Sequence, residues 1–524
     1  MSEIEEKEDF RKYLEMIMQQ AFAKEYSGDI ENISLVGFGS LASGFGMPGS
    51  DMDLAVVPVW KDPARINDFS IDRGVPRLLE RAVLDAKLGG RLLTRTRVPI
   101  LKICQTPTEA LYSALFEERQ KWDELPEEEK YPSDVPTDPV AQSKPETDGQ
   151  TMKSTVPIAQ ADGTDFGANY PTLGTAAPTK KRVTAAKTDI NQTESPTTET
   201  SSPGTDDKTK KDQNQRSGKQ WTREKVVGPL DFPKTGCGIQ CDINFENPLG
   251  IHNTHMLKCY SLTDPRVRPM VLFVKSWAKR RKVNSAYSGT LSSYGWVLMV
   301  LHYLVNVAYP PVCPNLQLMV RLPTDVAALE QHFKNTTIAG YQVRFWRNEQ
   351  EIIRAAQSGS LSHNTQSVGA LLRGFFQYYA SLSSYVYPKP PQFYWTNDVL
   401  SLRTPGGILS KQNKGWVSAT TKITAEKKVT NRYLFAIEDP FEVDHNVART
   451  VTHRGIVTIR DEFRRAWRIV RAVGQGLQPE GGIFDEVVEN ASAPPGENPA
   501  EAVMKDMLSK PGVDGESKSD GIGQ

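Results

Sequence analysis

Cysteine is scarce in this 524-residue sequence, and its spacing is not that of a structural framework. The five cysteines form no CxxC pair and no Cys/His group with the spacing of a zinc site. We therefore expect neither a network of disulfides nor a zinc knuckle, as is typical of a protein kept reduced inside the cell.

Long hydrophobic runs and a secretory leader are also missing. The longest apolar run, Tyr294 to Tyr309, is interrupted by Gly295, His302 and Asn306, whereas a membrane span needs about 20 predominantly apolar residues. It predicts a buried helix. The first ten residues, "MSEIEEKEDF", are acidic and do not resemble a signal peptide. We expect a cytoplasmic protein without a membrane partner; the basic hexamer "PTKKRV" at 178–183 keeps a nuclear location as the alternative.

Net charge is zero overall but uneven along the chain. The sequence has 63 basic and 63 acidic side chains. Residues 106–219 carry 20 acids against 14 bases and residues 478–524 carry 10 against 3, so the rest has 46 bases and 33 acids. This basic excess would attract a polyanion such as nucleic acid, although surplus Lys and Arg also serve solubility.

Large apolar residues are rare between residues 127 and 218. That segment is rich in Thr, Pro, Ser, Asp, Lys, Gly and Gln. Such a composition buries too little surface to offset the entropy of ordering, so we predict a mostly disordered insertion over 106–219 and a disordered tail over 477–524. A loop of this length would bulge from a folded domain without breaking it, because closure entropy grows slowly with length.

Elsewhere the patterns alternate between strand and helix and predict an α+β fold. Helical spacing predicts helices at 6–25, 76–87 and 108–124, and a helical region from 248 to about 309. Strands are predicted in "ISLVGFGS", in "DMDLAVVPV", once or twice in "RLLTRTRVPILKIC", and in "CGIQCDINFEN". A mixed, mostly helical region follows to about residue 476.

Three aspartates on predicted strands form the first chemical motif. Residues two apart in a strand point the same way, so Asp51 and Asp53 share a face while Met52 and Leu54 point into the core. Asp242 lies on the later strand, on its polar face. Like charges on one face need a cation between them, and carboxylates suit Mg²⁺ or Mn²⁺. Three such ligands predict a two-metal site for phosphoryl or nucleotidyl transfer.

A glycine-rich turn precedes the aspartate pair. Gly37 and Gly39 let the backbone approach a phosphate, and Ser40 adds a hydroxyl and backbone N–H groups at the start of the next turn. No Gly-Lys-Ser/Thr follows, so this is not a P-loop. The alternative is a hairpin whose Asp pair is merely solvated.

Four blocks occur in an order that resembles a known family. They are "GFGSLASGFGMPGSDMDLAVV", "CDINFENPLGIHNT", "VKSWAKRRKVNSAYSGTLSSYGWVLMVLHYL" and "IEDPFEVDHNVART". Together they look like the terminal RNA uridylyltransferases and cytoplasmic poly(A) polymerases, of the DNA polymerase beta type of nucleotidyltransferase. The resemblance covers residues 30–105 and 220–475.

The resemblance implies a bilobal enzyme with the nucleotide between its lobes. An N-terminal helix (1–28) would precede a nucleotidyltransferase lobe with a mixed sheet (29–105 and 220–249). The insertion would interrupt that lobe. A mostly helical central lobe (250–476) would include a poly(A)-polymerase-associated region at about 365–450.

The resemblance also implies roles for single residues. Asp51, Asp53 and Asp242 would be the catalytic, metal-binding triad. The implied nucleotide ligands are Gly39 and Ser40 for the triphosphate, Asn253 for the ribose, Lys275, Lys279 and Ser293 for the phosphates, Tyr294 as the base-stacking ring, and Asp439, Glu442 and His445 for reading the base. Tyr294 and Ser293 could equally pack and cap a helix, and the Lys/Arg cluster could be a solvated surface.

His445 implies the choice of nucleotide. In the family, a histidine at this place accompanies uridine preference by crowding out adenine. Bulk separates pyrimidine from purine better than uracil from cytosine, so addition of CMP stays open.

The predicted function is template-independent addition of UMP to RNA 3′ ends, with an RNA 3′ end and a nucleoside triphosphate as partners, UTP favoured over CTP or ATP. A poly(A) polymerase of the same fold, a metal-dependent glycosyltransferase using Asp-x-Asp, and an inactive RNA-binding scaffold are the alternatives. The insertion or the tail could add protein partners.

Overall fold

The structure is a computed structural model that describes residues 2–94, 99–130, 228–233, 235–382, 390–423 and 428–487. Most of the predicted insertion, the basic hexamer at 178–183 and residues 488–524 of the tail lie outside these ranges. The predictions made for them stay predictions.

The first part of the chain forms a sheet with helices packed against it. Its elements are α1 (Glu3–Glu25), β1 (Ile30–Phe38), α2 (Gly39–Ala42), β2 (Met52–Trp60), a 3-10 turn (Pro63–Arg65), α3 (Val75–Asp85), β3 (Gly89–Leu93), β4 (Ile100–Cys104), α4 (Glu109–Asp123), α5 (Glu127–Lys130) and β5 (Gln240–Asn244). The sequence "RLLTRTRVPILKIC", predicted as one or two strands, forms two.

The sheet is mixed, with strand order β1-β2-β5-β4-β3. The strand β2 pairs antiparallel with β1 and parallel with β5, while β4 pairs antiparallel with β5 and β3. Met52, Leu54 and Val56 are each at most 4% exposed, as the alternation of β2 predicts. The pairing of β2 with β5 joins segments separated by the whole insertion, and it sets the geometry of the site.

Helix α1 covers one face of this sheet. A capping box between Ser2 and Glu5 begins the helix. Buried residues then recur every four positions, at Phe10, Leu14, Met18 and Phe22. They pack in one hydrophobic core with residues of β1, β2, β5 and α3.

The second part of the chain is mostly helical. It comprises α6 (Pro248–Thr263), α7 (Val267–Arg280), α8 (Ser293–His302), a π-helix (Tyr303–Val307), α9 (Val326–Thr336), β6 (Thr337–Ile338), β7 (Tyr341–Gln342), α10 (Glu349–Gln357), α11 (Val368–Ala380), β8 (Asp398–Leu400), β9 (Ile408–Ser410), β10 (Thr420–Ile423), β11 (Lys428–Asn431) and α12 (His453–Gly474). The apolar run from Tyr294 is buried through Val305, as predicted, and emerges at Tyr309.

A second core, rich in aromatic rings, holds these helices together. Trp277 of α7 packs edge-on against Trp296 of α8 and Phe376 of α11, and Phe463 of α12 lies against the same rings. Phe45, from the turn before β2, also belongs to this core. The turn of the sheet-bearing part is thus anchored in the helical part.

The α+β class and the mixed sheet are confirmed. The predicted domain boundaries stay predictions. No helix of the described segments has the length and apolarity required to cross a membrane.

Candidate active site

Two of the three predicted carboxylates are direct neighbours across the sheet. Asp53 on β2 is in register with Asp242 on β5, and neighbouring strands lie about 4.8 Å apart. Asp51 stands just before β2, which begins at Met52, so it is not within the strand as the sequence suggested. The same row continues to Lys102 on β4, whose Nζ donates to both oxygens of Asp242 at 2.7 and 2.8 Å.

Crowding of negative charge is evident in the pKa values. Burial, followed by repulsion from Asp242 and Asp51, raises the pKa of Asp53 to about 7. Burial and the charge of Asp242 raise the pKa of Asp51 as well. The charges of Asp242 and Asp51 therefore act on Asp53, and the charge of Asp242 acts on Asp51.

The donor set fits a divalent cation in kind and in charge. Carboxylate oxygens are the ligands that Mg²⁺ and Mn²⁺ prefer, and a cation would relieve the repulsion that raises the pKa of Asp53. Within the described ranges, no three His, Cys, Asp or Glu side chains already form a group that could enclose a metal. Asp242 is engaged by Lys102, so binding a cation requires it to exchange that contact.

Gly39 is required by the carboxylate beside it. Its φ is +76°, a conformation that favours glycine. A Cβ added here would lie 2.2 Å from Oδ2 of Asp53. The glycine that the sequence assigned to phosphate approach therefore also makes room for the side chain of Asp53.

The backbone N–H of Gly39 is engaged within the protein. It donates to Oγ1 of Thr254 on α6 at 2.9 Å, and that hydroxyl donates to the carbonyl of Gly250. Ser40 follows in the short helix α2, half-buried. These hydrogen bonds connect Gly39 to α6. They do not involve Ser40, the other residue predicted to hold the triphosphate.

Both predicted phosphate lysines lie near the carboxylates, but in different settings. Lys275 is 5% exposed, and its Nζ donates to the carbonyl of Phe45 at 2.6 Å. Burial lowers its pKa to about 8, although the charge of Asp53 acts in the opposite direction. Lys279 is exposed and its charge lowers the pKa of Asp51. They share a face of α7, as their spacing predicts.

Asn253 is the clearest ligand-seeking group outside the aspartates. It lies on α6 and is 5% exposed. In the described part of the chain, its Oδ1 has no hydrogen-bond partner. A buried acceptor without a partner is costly, which suits a position completed by a bound hydroxyl.

Ser293 and Tyr294 begin α8 and face different partners. The cap of this helix is Ser292, not Ser293. The Ser293 hydroxyl instead exchanges hydrogen bonds with the amide of Asn284 at 3.0 and 3.2 Å. The Tyr294 hydroxyl donates to Oδ2 of Asp439 at 2.9 Å, so the ring that is predicted to stack on the base is tied to the predicted base-reading segment.

We call residues 438–446 the pocket loop. Asp439 is fully buried within it, and its Oδ1 accepts from the backbone N–H groups of Phe441 and Glu442 at 2.9 and 3.0 Å. Burial raises the pKa of this carboxyl, and these bonds counteract the shift. With Tyr294 on its other oxygen, Asp439 orders the loop in this structure.

Glu442 and His445 complete the loop. Glu442 is 1% exposed and His445 9% exposed. The backbone N–H of His445 donates to the carbonyl of Glu442, and its carbonyl accepts from Asp439. All three predicted base-reading residues therefore lie in one hydrogen-bonded turn that also contacts Tyr294.

The sequence analysis did not predict three residues that lie at the site: Lys102, Thr254 and Lys414. Lys102 faces Asp242, Thr254 accepts from Gly39, and Lys414 donates to the pocket loop. Thr254 directly follows Asn253 in the block "GIHNT", which was a usable signal. The others depend on strand register and loop packing, which local patterns do not reveal.

Comparison with known proteins matches both parts of this site. A family model described as "Poly(A) RNA polymerase, mitochondrial-like, central palm domain" matches residues 1–112 and 225–262. A second, described as "Cid1 family poly A polymerase", matches residues 367–445. Terminal uridylyltransferase cid1 of Schizosaccharomyces pombe is 42% identical over 261 residues, covering 50% of this chain and 56% of that protein. The chain is thus similar to the Cid1 family over its sheet-bearing part and over the segment that contains most of the pocket loop.

Other relatives of the chain are named poly(A) RNA polymerases. Poly(A) RNA polymerase GLD2 of Rattus norvegicus is 32% identical over 252 residues, covering 48% of this chain and 43% of its own. The chain thus spans about half the length of the curated relatives it matches.

Solved structures of Cid1 have a similar fold. A structure of the RNA terminal uridylyl transferase Cid1 matches 93% of this chain and 94% of its own, with 27% identity and a TM-score of 0.56. Cid1 has also been solved with the UTP analogue UMPNPP and with the short product ApU. Nucleotidyltransferases of this type generally use divalent metals.

Proposed function

We propose that this protein adds UMP, without a template, to the 3′ ends of RNA. The observation that most supports this is the register of Asp53 with Asp242, which brings two buried or half-buried carboxylates together from opposite sides of the insertion. Asp51, two residues before Asp53, is the third ligand of the proposed two-metal site. The similarity to Cid1 and to the poly(A) RNA polymerases supports the nucleotidyl-transfer chemistry.

In the proposed reaction, the RNA 3′-hydroxyl oxygen attacks the α-phosphorus of UTP and pyrophosphate leaves. Divalent ions, Mg²⁺ or Mn²⁺, would supply the charge that activates the hydroxyl and balances the triphosphate. Asp242, in our assignment, accepts the hydroxyl proton. Asp51 and Asp53 hold the negative charge that makes the site selective for cations.

The phosphates would lie along the end of α7 and the start of α8. Lys279 is exposed and near Asp51, so it is suited to reach the outer phosphates. An ammonium has three donors, and Lys275 uses one of them on Phe45, so it can hold the turn before β2 and still face a phosphate. Ser293 and Ser40 add hydroxyl donors, and Gly39 keeps the backbone clear of Asp53.

The ribose and the base would lie between α6, α8 and the pocket loop. The unpartnered Oδ1 of Asn253 supports contact with a ribose hydroxyl. Tyr294 offers a ring face for stacking, fixed by Asp439. Glu442 and His445 would border the base edge, where the bulk of His445 leaves less room for a purine than for a pyrimidine.

Poly(A) addition is the competing function. Several relatives are named poly(A) RNA polymerases, and their similarity extends over about the same length of this chain. His445 is the residue that favours UTP over ATP. A pocket that excludes by bulk separates the two by roughly 10- to 200-fold.

The test is extension of a labelled oligoribonucleotide with each nucleoside triphosphate supplied separately, in Mg²⁺ or Mn²⁺. We expect long products with UTP, weaker extension with CTP and the least with ATP. A clear preference for ATP would assign the protein to the poly(A) branch instead.

A paired variant tests the catalytic assignment. The double substitution Asp51→Ala, Asp53→Ala should abolish extension while the melting temperature stays at or above that of the unaltered protein, because two repelling charges are removed. Extension retained by a folded double variant would exclude these aspartates as the metal ligands.

A further inference from the structure

The two ends of the pocket loop are fixed by main-chain and amide contacts. Glu438 and Asn446 form an antiparallel bridge. The Asn446 side chain accepts from the N–H of Ile437 at 2.9 Å and donates to the carbonyl of Phe435 at 2.9 Å. The loop therefore leaves the core and returns to it at a closed neck, and its movement depends on what holds its middle.

A lysine from a different segment holds that middle. Lys414 lies in the turn after β9, with its side chain 16% exposed. Its Nζ donates to the carbonyl of Val443 at 2.6 Å and to Oε1 of Glu438 at 2.8 Å. One ammonium thus connects the neck of the pocket loop to a residue between Glu442 and His445.

The ion pair is buried on the glutamate side. The Glu438 side chain is 3% exposed, and its Oε2 also accepts from the hydroxyl of Ser401. Charge-assisted hydrogen bonds of this kind are shorter and stronger than neutral ones. Both carboxylate oxygens of Glu438 accept hydrogen bonds. This fixes the position of Lys414, which in turn holds the carbonyl of Val443.

A pocket can exclude a larger base by bulk only if the residues that form its wall are held in place. Asp439 orders the first half of the pocket loop through Phe441 and Glu442, and Gln317 donates to the carbonyl of Pro440 at 2.9 Å. Val443 lies beyond these contacts, on the His445 side. The hydrogen bond from Lys414 ties it to a distant segment of the chain.

We propose that Lys414 is a positioning residue for base selection: it braces the pocket loop at Val443 and so keeps His445 in place against a larger base. This proposal rests on the proposed function, because it takes the pocket loop as the base-reading segment. Lys414 itself does not touch the nucleotide.

The central test is Lys414→Met, which keeps the length of the side chain and removes both bonds. We expect the ratio of kcat/KM for UTP to that for ATP to fall about tenfold, the scale of discrimination that a pocket wall provides. The change should come from improved use of ATP, with kcat for UTP within about twofold. Lys414→Arg, which can still reach both acceptors, should restore the ratio.

Removing Lys414 alone leaves the buried Glu438 without its cation, which is destabilising. The double variant Lys414→Met, Glu438→Gln removes that charge as well and still lacks the bond to Val443. It should fold at least as well as the single variant and show the same loss of selectivity.

Lys411→Met is the matched control. Lys411 is 5% exposed, and its Nζ donates to the carbonyls of Trp395 and Leu434, both outside the pocket loop. The same substitution three residues earlier should lower the melting temperature but leave the UTP-to-ATP ratio unchanged.

The two proposals fail differently. A preference of the unaltered protein for ATP would contradict uridylyl addition. The role of Lys414 is judged instead on the change in the UTP-to-ATP ratio of kcat/KM between variant and unaltered protein. An unchanged ratio in the folded double variant, or an equal change in Lys411→Met, overturns the role of Lys414.

Discussion

Gly39 shows how closely a single residue constrains the site. The sequence gives a glycine before an Asp pair, and the usual reason for it is room for a phosphate. The structure adds a second reason, because Oδ2 of Asp53 occupies the space that a side chain at Gly39 would need. The conformation of Gly39, with its positive φ, and the position of the Asp53 side chain therefore depend on each other.

Gly39→Ala should therefore reduce kcat/KM by at least about 100-fold, because a displacement near 1 Å at a reacting group costs about that much. The positive φ adds a strain of about 1–2 kcal/mol to the folded state. Steady-state extension assays and thermal unfolding measure the two effects separately.

Gly359→Ala is the control for strain alone. Gly359 has φ +70°, and a Cβ there would meet nothing within 4 Å. It should lose comparable stability and keep full activity. Equal activity loss in both variants would show that strain, and not the contact with Asp53, explains the requirement for glycine.

Helix α6 is the element that joins the two halves of the site. It begins just after β5, carries Asn253, and holds the turn after β1 through the bond from Gly39 to Thr254. Its orientation therefore fixes the amide of Asn253, which we propose contacts the ribose, relative to the aspartates.

Thr254→Val should lower kcat about tenfold, equivalent to about 1.4 kcal/mol of transition-state stabilisation, because the Gly39 N–H loses its acceptor and the turn is freed. Thr263→Val is the matched control on the same helix. Thr263 is also buried, but its hydroxyl donates within α6 to the carbonyl of Tyr260. Equal kinetic effects in both variants would rule out a specific link between α6 and the turn.

Local patterns predicted the strands of the main sheet and several helices, but not the short strands β6 to β11 of the second part. Alternation placed Met52 and Leu54 in the core, and helical spacing predicted α1 and α4. Local patterns could not predict the register of Asp53 with Asp242, because it depends on pairing between segments far apart in sequence. The motif "EDPFEVDHN" predicts that Asp439 helps to read the base. Only the folded backbone reveals that its oxygens also order the pocket loop.

At the scale of the whole molecule, the carboxylate cluster lowers the free energy of unfolding by an amount that depends on pH. The pKa of Asp53 is about 7 in the folded chain and near 3.8 in an unfolded one. Between these values the folded state holds a proton that the unfolded state has released. The free energy of unfolding therefore decreases as pH rises from about 4 to 7.

In EDTA, the unaltered protein should lose stability from pH 5.5 to pH 8 by on the order of 2 kcal/mol more than Asp53→Asn does. Mg²⁺ at pH 8 should raise the melting temperature of the unaltered protein more than that of the variant. Thermal unfolding by circular dichroism measures both. Parallel pH profiles would mean that Asp53 ionises normally in the folded chain.

The strands on either side of the long insertion are hydrogen-bonded to each other. The N–H of Thr106 donates to the carbonyl of Cys237, and that of Gln105 to Ile239, directly beside the pairing of β4 with β5. A single cut between residues 131 and 227 would leave two polypeptides that share one sheet. Asp51 and Asp53 would belong to the first fragment and Asp242 to the second, so catalysis would report their reassociation, and the protein could serve as a split enzyme for complementation.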